Sequence, residues 1–377
     1  MHKITFYPLG NADCCKIDIS NGKKLLFDYA HTRSSEDEDD SRIDLAKTLK
    51  EDLKEAERDY FDVVAFTHAD DDHIRGSSDF FYLEHAEKYQ GDDRIKIKEL
   101  WVPAAMIMEE GAEDEARILR AEARYRLKQG KGIRVFSRPE RLKEWLGKEG
   151  LTIEKRKDLI TDAGQLIPGF NKSSEGVELF VHSPFAAHVD DKLEDRNESA
   201  LILHATFKVE DWETKFMFIG DSTHEILTDI VKITKSHKRE DRLKWDIYDI
   251  PHHCSYLALS SEKGKDKTDP VEEVKWLLKQ GSKRGILVSC SDPIPDNDKN
   301  TQPPHRQAAN YYKEVAGNIE GDFKVTMEHP KVSSPEPLII QIDKNGAMLK
   351  KSIIGGSAVV ISRSAPRAGI TYDSTLS

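Results

Sequence analysis

Short β-rich apolar runs alternating with stretches of helical spacing predict a mixed α/β (α+β) chain in which sheets are covered by helices. Two observations carry that class. Val-, Ile- and Phe-rich runs of strand length recur along the chain without a repeat of fixed period. Several of them stop abruptly at clustered polar residues, as strands do when their ends carry side chains to a common edge.

The first three strands are expected at 4–7, 15–19 and 24–27, the last two joined at Asn21-Gly22, where both residues tolerate positive φ. Leu45, Leu49, Leu53 and Ala56 fall at helical spacing and predict a helix over 44–58. A buried strand at 61–67 then runs directly into His68-Ala69-Asp70-Asp71-Asp72-His73. Further helices are expected near 79–89, 113–129, 139–147, 224–236, 271–280 and 305–316. Further strands are expected near 97–103, 133–137, 177–182, 200–208, 215–219, 245–250, 285–290, 323–328 and 337–342.

Composition narrows the class of function. The 377 residues carry 57 Lys and Arg against 68 Asp and Glu, a formal charge of −11, which argues against a generic nucleic-acid coat. The average hides a local excess, because residues 117–143 hold ten Arg or Lys and two Glu. A second basic stretch spans Lys232, Lys235, Lys238, Arg239, Arg242 and Lys244; for both stretches a solvated helix face is the bland alternative. No run nears the roughly 18 apolar residues of a membrane helix, so no membrane insertion is expected. The N-terminus reads as a strand and not as a signal peptide. Cys14, Cys15, Cys254 and Cys290 form no CxxC pair, which points to a reduced, cytoplasmic protein.

The chemistry gathers at strand ends. His68 to His73 offers two imidazoles and three carboxylates within six positions, donors that suit zinc or manganese. A calcium-binding EF-hand loop starting at Asp70 would need Gly at its sixth place and Glu at its twelfth, where Arg75 and Phe81 stand. A solvated acidic loop remains the plain alternative. Gly220-Asp221 ends the strand at 215–219, Pro251-His252-His253-Cys254-Ser255 ends the strand at 245–250, and Asn197-Glu198-Ser199 precedes the strand at 200–208.

In this order the motifs resemble the metallo-β-lactamase hydrolase superfamily, whose signature is His-x-His-x-Asp-His after a strand, then Gly-Asp, then a late His. Here Asp70 stands in the place of the second His. That variant is similar to the branch containing the hydrolase domain of the competence DNA-uptake channel (ComEC). Leu9-Gly10-Asn11-Ala12-Asp13, Leu25-Leu26-Phe27-Asp28, Asn197-Glu198-Ser199, Pro251-His252-His253-Cys254-Ser255 and Pro304-His305 carry the likeness, over residues 3–315. The resemblance implies a four-layer αββα sandwich in a single domain over 1–355, with a helical insertion near 105–150. Residues 356–377 would be a Gly/Ser/Ala/Pro-rich tail able to dock a protein partner.

It also implies two divalent cations, Zn2+ or Mn2+. His68 and Asp70 would hold the first, Asp72, His73 and His253 the second, and Asp221 would bridge them. Asn197, where many members have a third His, weakens the first position. Cys254 replaces a Gly and is either a packing residue or a soft ligand. Asp72, Asp221 and His305 are the catalytic candidates. Asp13, Asp28, His252, His224 and Asn197 would stand behind the ligands or contact substrate. Three functions stay open: hydrolysis of a phosphodiester, nucleic acid foremost, with residues 117–143 as the substrate groove; hydrolysis of a small cyclic nucleotide, thioester or lactam; or a binding scaffold without catalysis.

Overall fold

Alternation along the strands sorts the apolar side chains into three layers of core. In the computed structural model, which describes residues 1–187, 196–299 and 301–350, the chain forms two sheets. The nine-stranded sheet takes β1 (His2–Phe6), β2 (Cys15–Asp18), β3 (Lys24–Phe27), β4 (Tyr60–Ala65), β5 (Lys96–Pro103), β6 (Ile133–Phe136) and β7 (Ile160–Thr161). The six-stranded sheet takes β8 (Val177–Ser183), β9 (Ile202–Val209), β10 (Trp212–Phe218), β11 (Trp245–Ile250), β12 (Gly281–Ser289) and β13 (Asp322–Val325). The chain then returns to the first sheet as β14 (Leu338–Asp343) and β15 (Gly346–Leu349), with β14 pairing β1.

Helices lie on the outer faces. On the nine-stranded sheet Leu26, Val64 and Leu100 pack against α1 (Leu45–Glu55), and the same cluster takes in Ile74 of α2 (Asp71–Ile74), Phe80 of α3 (Ser77–Phe80) and α4 (Ala104–Met108). It continues through α5 (Asp114–Gln129), Leu142 and Leu146 of α6 (Glu140–Lys148) and the edge of α7 (Ile153–Arg156). The next residues along each strand, Phe27, Val63 and Trp101, point the other way and meet Leu179, Leu203, Phe216, Phe218, Ile247 and Val288 between the sheets. Met217, Tyr248 and Leu287 face outward again, under α8 (His224–Ser236), α9 (Glu272–Leu278) and α10 (Arg306–Asn318). The result is the four-layer αββα sandwich.

Strand direction places the site. β3 to β7 run parallel, as do β10 to β13. The carboxyl ends of β3, β4, β10, β11 and β12 therefore open on one edge, as ligand-bearing strand ends do in other α/β sheets. β1 runs in the direction of β3, because both are antiparallel to β2, so the loop after β1 reaches the same edge.

The expected helix over 79–89 is replaced by α3, an extended stretch in which Phe81 bridges Ile95, and a 3-10 turn at Glu87–Tyr89. Glu122 decides this: its carboxylate accepts the N–H groups of Glu84 and His85 at 3.0 and 2.9 Å, which takes those donors away from a helix. β7, β15, α2, α4 and α7 lie outside the elements read from the sequence. The expected tail at 356–377 lies outside the described residues. Among those residues no helix is long and apolar enough to cross a membrane.

Candidate metal centre

Each functional side chain is aimed by a neighbour on an adjacent strand. Asp28, just past β3, is fully buried and takes a left-handed φ of 56°. Its carboxylate accepts the Thr67 N–H and hydroxyl, both at 2.7 Å, and the Nδ1–H of His73 at 2.8 Å. A carboxylate holding Nδ1 turns Nε2 outward, the arrangement that fixes a ligating histidine. His253 is held likewise: a carbonyl can only accept, so Nδ1 donates to the Cys290 carbonyl at 2.7 Å and Nε2 is the nitrogen turned toward the cluster. Asp221 is set by Asp249, whose Oδ2 accepts Gly220 N–H at 3.0 Å and Ile219 N–H at 3.3 Å.

These atoms converge. The ligand atoms of Asp13, His73, Asp221 and His253 lie within 4.8 Å of one another, as do those of His68, Asp72 and His73. Asp221 Oδ1 stands 3.4 Å from His73 Nε2 and 3.6 Å from His253 Nε2, and Asp13 Oδ2 stands 3.6 Å from His73 Nε2. Such spacings are long for charge-assisted hydrogen bonds, but two donors about 2.1 Å from a shared ion at a tetrahedral angle stand about 3.4 Å apart. His68 Nε2, His73 Nε2 and Asp221 Oδ1 are buried with no hydrogen-bond partner. Buried groups seldom stay unsatisfied, and this donor set fits a divalent cation. The Asp/His cluster could therefore bind metal.

Charge in the cluster agrees. Burial alone would push an imidazole toward neutrality. Opposed by Asp221, Asp72 and Asp13, His253 is instead pushed up to about 10, and Asp28 and Asp221 raise His73 well above its ordinary range. Burial pushes Asp221 up, yet His253 and His73 outweigh it and hold the carboxyl well below its usual range. In Asp13 burial wins over the imidazoles and the carboxyl titrates high. The pocket thus gathers negative charge that draws in cations, protons among them.

The remaining predicted residues are placed as follows. Asp72 Oδ2 lies 3.1 Å from His253 Nε2, and its carbonyl accepts the Asp13 N–H at 3.0 Å. Asp70 Oδ2 faces His68 Nε2 at 3.3 Å. His252 Nε2 lies 3.7 Å from Asp221 Oδ2, at the rim. Asn197 is buried in the 3-10 turn Arg196–Ser199 before β9. His224 opens α8 and pairs with Glu225 at 3.1 Å. His305 precedes α10 with both ring nitrogens engaged by main chain: Nδ1 accepts Tyr256 N–H at 3.4 Å and Nε2 donates to the Thr301 carbonyl at 3.2 Å. Asp13, read from the sequence as a supporting residue, stands inside the cluster with the ligand candidates.

His252, His253 and Cys254 take successive left-handed φ values of 51°, 50° and 66°. Each such residue costs about 1–2 kcal/mol, so the turn presenting His253 is held against strain by its surroundings. Cys254 contributes as packing, buried with Ile250, Leu259 and Tyr312 under the outer helices.

Sequence reasoning missed Asp249, Thr67, Arg196 and Glu109. Asp249 had a signal, a carboxylate inside the otherwise apolar run 247–250. The others act through contacts distant in sequence. Arg196 Nη1 donates to Asp70 Oδ1 at 2.8 Å and to the Ala69 carbonyl at 2.7 Å, and its Nε donates to Glu109 Oε1 at 3.2 Å.

Much of the basic segment is engaged within the fold, while Arg117 and Lys131 are exposed. Arg120 and Arg124 donate to the Glu109 and Ile107 carbonyls at the end of α4, the second at 2.9 Å. Arg126 is buried on Glu122, Arg134 bonds Thr161, Arg138 pairs with Asp162, and Lys128 lies 3.4 Å from Glu149. The second stretch is used similarly, with Arg242 on Glu178 at 2.6 Å and Lys235 over the Trp276 ring at 3.6 Å. At the mouth of the cluster a cavity of about 510 Å³ is lined by Asn11, Thr32, Arg42, Asp72, Arg75 and Asp292, among others. Arg42 is paired with Asp40 at 2.6 Å and Arg75 with Asp71, and Asp37 and Asp39 add further negative charge.

No family model and no curated protein matches this chain. Solved structures do. A metal-dependent hydrolase from Parabacteroides distasonis is 13% identical over 85% of this chain and 92% of its own, with a TM-score of 0.34. Unliganded yeast PDE1 is 10% identical over 86% of this chain and 96% of its own, with a TM-score of 0.43. A diphosphatase from the PhnP family is 10% identical over 93% of this chain and 100% of its own, with a TM-score of 0.36. Likenesses of this size decide nothing about the chemistry of the present chain, which rests on its own residues.

Proposed function

We propose that this chain is a metallo-β-lactamase-type hydrolase of phosphodiesters that works with two divalent cations, Mn2+ or Zn2+. The observation that carries the reading is the trio of buried ligand atoms left without a hydrogen bond, His68 Nε2, His73 Nε2 and Asp221 Oδ1, beside Asp13, Asp72 and His253. Without a cation those groups would carry a heavy desolvation penalty, which disfavours a scaffold role. A carboxylate-rich donor set leans toward Mn2+. When bound, such cations lower the pKa of water and polarise a phosphoryl oxygen.

The protein's own part is positional. Asp28 and the Cys290 carbonyl hold His73 and His253 with Nε2 directed inward, and Asp249 holds the Asp221 turn. Asp72, about one-third exposed, sits between the buried cluster and the cavity, where its carboxylate can accept the proton of an attacking water. His252 stands at the rim, within reach of a substrate oxygen.

A small diester is favoured over a long polyanion by the acidic mouth and by a basic segment already bonded within the fold. The test is hydrolysis of bis(p-nitrophenyl) phosphate and of labelled single- and double-stranded DNA, with added Mn2+ or Zn2+, comparing wild type with Asp221→Asn. Cation-dependent cleavage reduced about 100-fold or more in the variant supports the reading. Equal rates in the two proteins, or no cleavage of any diester, would sink it.

A further inference from the structure

The carboxylates around the cluster are not equally available to a cation. Asp13 and Asp221 are buried and meet imidazoles. Asp70 instead lies between His68 Nε2, 3.3 Å from its Oδ2, and the Arg196 guanidinium, 2.8 Å from its Oδ1. Arg196 is anchored a second time: Nη1 also donates to the Ala69 carbonyl at 2.7 Å, Nε donates to Glu109 Oε1 at 3.2 Å, and Nη2 donates to the same oxygen. With Nε, Nη1 and Nη2 all engaged, this guanidinium is a fixed charge and not a free clamp for phosphate.

Resting on the cation-dependent reading above, we propose that the two cation positions are unequal. The inner one, at Asp13, His73, Asp221 and His253, is tight. The outer one, beside His68 and Asp72, is kept weak by Arg196, whose charge neutralises Asp70. The inner position has four buried donors, two of them carboxylates, and among the described residues no cationic side chain is bonded to those carboxylates beyond the imidazoles themselves. A divalent ion at the outer position meets the guanidinium charge just behind Asp70, a charge shared with Glu109. In a partly buried site, like charges a few ångströms apart repel more strongly than they would in bulk water. Arg196 is thus a positioning and charge-setting residue that governs how many cations the site holds.

The test is calorimetric titration of metal-free protein with Mn2+, for wild type, Arg196→Met and Arg196→Lys, each checked for folding by circular dichroism. Wild type is expected to bind one Mn2+ at least about tenfold more tightly than a second. Arg196→Met should tighten the second about tenfold and leave the first within about twofold, while Arg196→Lys keeps the wild-type gap. Two equal positions in wild type overturn the proposal, as does a weaker second position in Arg196→Met, which would make Arg196 a support for Asp70 as ligand. Should Arg196→Met fail to fold, Glu109→Gln carries the test. Removing its carboxylate leaves the guanidinium less compensated, so the second Mn2+ should bind more weakly, and an unchanged or tighter second position overturns the proposal. Two equal positions with intact hydrolysis would defeat this inference alone, whereas binding of no Mn2+ would defeat the cation-dependent reading itself.

Discussion

Two pairs of buried histidines sit in opposite electrostatic states. His182 on β8 and His204 on β9 lie on the outer face of the six-stranded sheet, where Nε2 donates to the Arg242 and Lys244 carbonyls, both at 2.9 Å. Burial drives His182 down to about 4 and His204 down to about 3, helped in both by the nearby Arg242 charge and in His204 by His182. His73 and His253 are buried as deeply, yet the carboxylates opposite them reverse the sign. Burial sets the same penalty in both places, and the neighbours decide which way the group goes. The sheet pair packs as neutral polar rings, while the strand-end pair belongs to a pocket whose surplus negative charge calls for a cation.

The largest effect that tests this contrast is on stability in acid. A histidine whose folded pKa is depressed gives stability that is present above its unfolded pKa, about 6.5, and lost as pH falls toward the folded value. His182 and His204 should together cost a few kcal/mol between pH 6.5 and about 4, each with a slope of at most about 1.4 kcal/mol per pH unit. Urea unfolding at stepped pH should show a shallower loss for His182→Gln/His204→Gln. An unchanged slope would remove these two rings from the acid response.

Next in size is the carboxylate that orients His73. Asp28→Asn keeps the shape but removes the charge, and should weaken the tightest Mn2+ or Zn2+ binding about 10–100-fold. The control is His204→Gln, which should leave cation affinity alone. If both variants bind metal like wild type, the difference between the histidine pairs has no bearing on cations.

A smaller effect separates strain from packing. At φ 66°, Cys254→Val places a β-branched residue where even Cys is strained, and should cost about 2 kcal/mol or more in chemical denaturation. Cys254→Gly should cost less, because relief of the backbone offsets part of the lost packing. The reverse order would show that packing, and not backbone, dominates at that turn.

The smallest effect is expected at Lys128, half exposed on the surface and 3.4 Å from Glu149. Lys128→Glu should change stability by under about 1 kcal/mol and leave cleavage of a small diester unchanged. A clear loss of DNA cleavage in that variant alone would restore residues 117–143 as a substrate surface.

Much of the fold was legible because its signals are local. The strand at 24–27 and the helix at 224–236 have the residues expected of them, since alternation and helical spacing are properties of consecutive side chains. The helix expected over 79–89 failed for the opposite reason: Glu122, some 37 residues away, claims the N–H groups that a helix would use. The two-residue strand β7 and the helix α4 are too short to leave a periodic pattern. In the site, the donors at 68–73, 221 and 253 were visible as clustered polar residues ending apolar strands. Asp13 stood out only as part of a motif, and its place among the ligand candidates depends on the loop after β1 reaching the edge shared with β4 and β10.

The alternation of sheets and helices, the order of the strand-end motifs and the residue types able to meet a metal are all present in the amino-acid order. Those follow from side-chain period and chemistry, which need no partner. Tertiary structure alone decided that Asp28 and Cys290 aim the imidazoles, that Asp249 holds the Asp221 turn, and that Arg196 neutralises Asp70. It also turned Arg120, Arg124, Arg126 and Arg134 of the basic segment onto carbonyls and side chains of neighbouring elements. Charge and hydrogen bonding act through space, so their sign and strength are settled only when strands distant in the chain arrive at one edge.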